Sequence, residues 1–82
     1  MSRPRLFHSI GPSSQDSALV RKFIVDHNLQ EHIEFSNTLY EGPQKALLDK
    51  IGVVEAPTMF VDDQVIRGKD AIIEWLSLNL RN

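Results

Sequence analysis

At 82 residues, 41% of them hydrophobic and 24% charged, the chain has the length and composition of one ordinary globular domain. Its formal charge is −2 and its nine Lys and Arg residues are scattered, so nothing draws it to nucleic acid or to an anionic membrane surface. It has no cysteine, which removes disulfides, zinc–thiolate sites and thiol–disulfide exchange, all of which need a sulfur.

The start, Met1-Ser2-Arg3-Pro4-Arg5, looks basic, but the apolar run after it ends at Ile10, where Gly11-Pro12-Ser13-Ser14 breaks it. That run is too short for a signal-peptide core, and no stretch approaches the roughly 20 apolar residues of a membrane span. A cytoplasmic protein is expected.

Arg5 to Ile10 reads as a strand closed by the Gly11-Pro12 break, with Ser13 and Ser14 as N-cap candidates for the next element. From Ser14 to about Asn28 the pairs Leu19/Phe23 and Val20/Ile24 have the spacing of a helix stripe, and Asn28 is a plausible stop. His32 to Ser36 alternates polar and apolar residues, as a half-covered strand does. Gly42-Pro43 opens a second helix, with Ala46, Leu47, Leu48 and Ile51 as its stripe and Gly52 just past its end; Tyr40, Glu41 and Gly42 read as loop.

Thr58 to Val61 and Gln64 to Ile66 are two strands of a tight hairpin turned by Asp62-Asp63. Lys69 to Leu80, with Ile72, Ile73, Leu76 and Leu80 in helical register, is a third helix, and Trp75 on it is expected in the core. The order β-α-β-α-β-β-α over residues 1–82 predicts one α/β domain. Its first βαβ unit should cross over right-handed, the hairpin should add antiparallel strands, and helices should flank both faces of a four-stranded mixed sheet.

Three segments, in this order, resemble the glutaredoxins and small thioredoxins. Gly11-Pro12-Ser13-Ser14 stands where that family carries Cys-Pro-x-Cys between the first strand and helix. Ala56-Pro57-Thr58-Met59-Phe60-Val61 is similar to the family's strand entered through a cis proline. Gly68-Lys69-Asp70 resembles the Gly-Gly-x-Asp at the start of its last helix. The resemblance covers nearly the whole chain and implies a thioredoxin-like fold of the glutaredoxin type. It departs from the family at Gly11 and Ser14, which replace the two cysteines, and at Arg67, which replaces the first glycine of the pair.

For function, the resemblance implies a groove. Ser13 and Ser14 start a helix whose free N–H groups favour an anionic partner. Ala56, before Pro57 and Thr58, would offer its backbone to an extended peptide such as glutathione. Asp70 would receive a ligand's ammonium group beside Gly68, with Arg67 or Lys69 supplying positive charge. Each has a plainer alternative: a turn and a helix cap for the serines, a strand start for Pro57, and a favourable charge on the helix dipole for Asp70.

Ser14 is also a candidate nucleophile, but a hydroxyl needs an activating base, and His8 is the only histidine near it in sequence. His8, His27 and His32 lack a metal-ligand spacing, so neither a metal nor a resident cofactor is expected.

Three functional readings fit these residues. The first is a redox-inactive binding domain whose groove holds glutathione, a peptide or a protein partner. The second is a serine-based enzyme resembling the N-terminal domain of glutathione transferases, which use a further helical domain not found within these 82 residues. The third is a glutaredoxin whose cysteines were replaced, for which Ser14 is an ordinary substitution and Gly11 an unusual one.

Overall fold

Four short strands, β1 (Arg5–His8), β2 (Glu34–Asn37), β3 (Thr58–Val61) and β4 (Gln64–Arg67), form one sheet in the order β2-β1-β3-β4. The computed structural model describes residues 3–80, so Met1 and Ser2 of the basic start lie outside the described residues. β1 runs parallel to β2, with Leu6 opposite Phe35, and antiparallel to β3, with Leu6 opposite Met59. β3 and β4 form the expected hairpin across Asp62-Asp63, and Asp62 takes the left-handed φ of 52° that such turns require. Three helices, α1 (Gln15–Asp26), α2 (Glu41–Ile51) and α3 (Lys69–Asn79), and a single 3-10 turn at Gln30–His32 complete an α/β architecture with an open, mixed sheet.

The boundaries differ from expectation where side chains redirect the backbone. β1 stops at His8 rather than Ile10 because the Ser9 N–H turns away from the sheet and donates to Ser17 Oγ at 3.1 Å. β2 starts at Glu34 rather than His32, since His32 belongs to the 3-10 turn. α1 ends at Asp26, and Asn28 supports the stop in a left-handed conformation, φ 56°. α2 begins at Glu41, so Glu41 and Gly42 are helical rather than loop, and Gly52 caps its end at φ 78°.

Strand alternation divides the side chains between two faces. Leu6, Met59 and Ile66 form a cluster with Val20 and Ile24 of α1 and Ile72 and Leu76 of α3, all buried, and Trp75, expected in the core, packs only partly buried against its edge. The opposite face carries Phe7, whose ring lies 4.6 Å from that of Phe60, and Arg5, which stacks over Phe7 and donates from Nε to Ser36 Oγ at 2.8 Å. α2, whose only buried side chain, Leu47, lies outside the first cluster, covers this second face by exclusion. Of its predicted stripe, Leu48 is about half exposed. No helix among the described residues is long and apolar enough to cross a membrane.

Candidate functional site

α1 starts beside the carboxyl end of β1, and the loop before β3 lies against that start. Between them is a polar cleft of about 260 Å³ lined by the hydroxyl residues Ser9, Ser13, Ser14 and Ser17, by Gln15 and Ala56, and by one carboxylate, Asp16. Ser13, Ser14 and Ala56, singled out in the sequence from distant segments, therefore share one cavity. The Ala56–Pro57 peptide bond is cis, as the resemblance implied. Neither peptide group of Ala56 takes part in a hydrogen bond among the described residues, leaving its backbone open to a partner.

The hydroxyls of the cleft form a directed chain. Ser17 is 1% exposed and its Oγ accepts the Ser9 N–H. Ser9 Oγ donates to Ser14 Oγ at 2.8 Å and lies 3.4 Å from Ser17 Oγ. A hydroxyl has one proton, so Ser9, having given its own to Ser14, accepts from Ser17. Ser14 keeps its own proton to give, and no acceptor for it occurs among the described residues. Ser14 occupies the N-cap position of α1, as expected, but its side chain makes no capping bond; it is turned toward Ser9 instead.

The Ser14 oxygen accepts a hydrogen bond from Ser9, and among the described residues no base accepts its proton. His8 points elsewhere: it is 8% exposed, lies edge-on to the Phe35 ring, and its Nδ1 sits 3.1 Å from Arg21 Nη1. Burial, and then the charge of Arg21, hold the His8 imidazole below its ordinary pKa of 6.5.

Gly11, at the place of the family's first cysteine, adopts φ 141°, a conformation that a residue with a side chain rarely takes. Open space surrounds the position of its absent Cβ, so the backbone angle and not crowding is what favours glycine there.

The remaining predicted site residues are placed around the cleft without entering it. Thr58 is fully buried next to Pro57, and the Gly68 N–H donates to the Pro57 carbonyl at 3.1 Å. Arg67 makes a bidentate pair with Glu55, donating from Nε to Oε2 at 2.7 Å and from Nη2 to Oε1 at 2.8 Å. The hydrogen bond from Arg67 is the main cause of a Glu55 pKa below its ordinary 4.5. Arg67 thus already holds an internal carboxylate. Lys69 and Asp70, 3.6 Å apart, line a separate hollow of about 300 Å³ between α1 and α3, with Leu19, Phe23 and Ile73.

Sequence reading missed Ser9 and Ser17, although Ser17 stands three residues after Ser14 on the same helical face, a spacing that signals a shared site. It also missed Glu55. A larger groove of about 550 Å³ adjoins the cleft through Ser9 and is walled by Ile10, Asn37, Thr38, Leu39, Tyr40 and Gln44. It sits outside the carboxyl ends of the two parallel strands, where open α/β sheets bind ligands. The Gln44 amide donates to the Thr38 carbonyl at 2.8 Å and Asn37 Oδ1 accepts the Leu39 N–H at 2.8 Å, so its rim is built, not loose. Among the described residues no group of three or more His, Asp or Glu side chains is placed to hold a metal.

No protein-family model, curated protein or solved structure matches this chain.

Proposed function

We propose that this chain is a thioredoxin-like domain of the glutaredoxin type that works without redox chemistry, and that its cleft binds glutathione or an extended peptide segment of a partner. The observation that carries the reading is the meeting of a hydroxyl-lined helix start, Ser13 and Ser14, with the unpaired backbone of Ala56. A helix start and a hydroxyl with a proton to give favour a carboxylate or carbonyl oxygen, and a free peptide group favours an extended backbone. Both are features of one peptide-like ligand. The strand order, with β1 parallel to β2 and antiparallel to β3, supports the proposed fold.

The serine-enzyme reading lacks support, because the Ser14 oxygen accepts a hydrogen bond and His8 is committed to Arg21. The reading of a glutaredoxin with replaced cysteines also loses ground, since the backbone at Gly11 is adapted to glycine.

Titration of the isotope-labelled domain with reduced glutathione, followed by amide NMR shifts, tests the proposal. Saturable shifts are expected at Ser13, Ser14, Ala56, Thr58 and Gly68, with smaller ones at Asp70, which lines the separate hollow. Millimolar ligand that leaves Ser13, Ser14 and Ala56 unmoved refutes glutathione binding and leaves peptide segments as the ligand class to test.

A further inference from the structure

Ser9 is the wall common to the polar cleft and the larger groove, and it is held at three points. Its hydroxyl donates to Ser14, its N–H donates to Ser17, and its carbonyl accepts from Arg21 Nη1 at 2.7 Å. The same Nη1 lies 3.1 Å from His8 Nδ1. One guanidinium nitrogen has two hydrogens, and here each has its own acceptor. That count fixes the tautomer: His8 Nδ1 accepts, so the imidazole is neutral with its proton on Nε2.

We propose that His8 and Arg21 form a proton-sensitive clasp that sets the position of Ser9 and so the shape of the cleft wall. The clasp cannot survive protonation of His8. A second proton on Nδ1 would face the Arg21 N–H, donor against donor, with two positive charges near contact distance in a largely buried place. Arg21 must then swing away, and the Ser9 carbonyl loses its charge-assisted bond.

Among the described residues, no other charge facing His8 softens this conflict. From α1 it meets Arg21; from β2 it meets the Phe35 ring, and its register partner there is Asn37, which does not titrate. On β3 the pairing with β1 reaches only Phe7 opposite Thr58. Burial and Arg21 both push the His8 pKa below 6.5, so the clasp is closed at neutral pH and opens only in acid. Arg21 is a positioning residue: it touches the cleft only through Ser9. If the cleft binds as proposed above, its affinity falls over the same acid range.

The test needs no ligand, so its outcome is independent of glutathione binding. Ring NMR of His8 in the wild-type domain should show an Nε2–H tautomer at neutral pH and a midpoint below 6.5. The amide shifts of Ser9, Ser14 and Ser17 should move with that same midpoint. In Arg21→Met, which keeps much of the aliphatic packing, the His8 midpoint should rise but stay below 6.5, because burial remains. The serine amides should then stop following it. In His8→Gln, neutral at every pH, their acid transition should vanish while the fold persists at neutral pH. Serine amides that ignore the His8 titration, an Nδ1–H tautomer, or an acid transition retained in His8→Gln would each overturn the clasp.

Discussion

The two faces of the sheet are closed to different degrees. Toward α1 and α3, Leu6, Val20, Ile24, Met59, Ile72 and Leu76 are wholly buried and interlock in one cluster. Toward α2, Phe7 and Leu47 are equally buried, but the helix and its flanking loops leave much apolar surface in solvent: Leu39 is 76% exposed, Tyr40 63% and Leu48 51%. The first face carries the larger buried cluster, and the second borders the groove. Segments with few buried apolar side chains open at lower free energy than the core, which is where binding loops are drawn from.

The sharpest way to break this comparison is to cut one side chain on each face. Ile24→Ala should remove about 3–5 kcal/mol, the upper part of the range for deleting a buried aliphatic side chain, because α1 is packed on both the sheet and α3. At about 0.05–0.15 kcal/mol of stability per residue, that is a large fraction of the whole. Leu47→Ala should cost about 2–3 kcal/mol, since α2 is anchored by that one buried residue and can settle into the space. Urea denaturation followed by circular dichroism measures both. Equal losses would mean that the second face is as tightly packed as the first.

Element order was legible because Val20/Ile24 and Ile72/Leu76 repeat at helical spacing and Met59 and Ile66 flank a two-residue turn; local pattern and burial agree there. Legibility failed where the pattern is apolar but tertiary context leaves it outside. Leu19 and Leu48 lie on predicted stripes yet stay 46% and 51% exposed, because a single open sheet cannot cover the full width of each helix.

At the site, Ser13 and Ser14 were legible as a helix start, and Ala56 only through the family resemblance. Ser9, Glu55 and Arg21 were not, since each acts by a bond to a residue whose proximity only the folded chain creates, and Ser17 was signalled only by its helical spacing from Ser14. Arg67 was read as a free cation because its partner, Glu55, lies 12 positions away across a loop.

A smaller effect separates the buried and open ends of the hydroxyl chain. Ser17→Ala strips a fully buried acceptor from the Ser9 N–H and should cost about 1–2 kcal/mol. Ser14→Ala should cost only about 0.5–1 kcal/mol, because the side chain makes no helix-capping bond to lose. Thermal denaturation of the pair gives the order. A larger loss at Ser14 than at Ser17 would show that its hydroxyl caps α1 in solution and is not turned toward Ser9.

The smallest effect lies on the second face, at the exposed pair Glu55–Arg67. Hydrogen bonding from Arg67 lowers the Glu55 pKa, so the folded state binds fewer protons than the unfolded one in mild acid. The pair's contribution is therefore complete above 4.5 and fades as pH falls through the lowered value. Glu55→Gln should barely change stability at neutral pH, given how exposed both side chains are. It should flatten the wild-type decline below 4.5, and high salt should shrink the difference further. Superimposable stability profiles for the two proteins would mean that the pair contributes nothing in solution. Arg67 would then be available as the cation beside the cleft, and glutathione binding should weaken on Arg67→Met; with the pair intact, that substitution should leave binding unchanged.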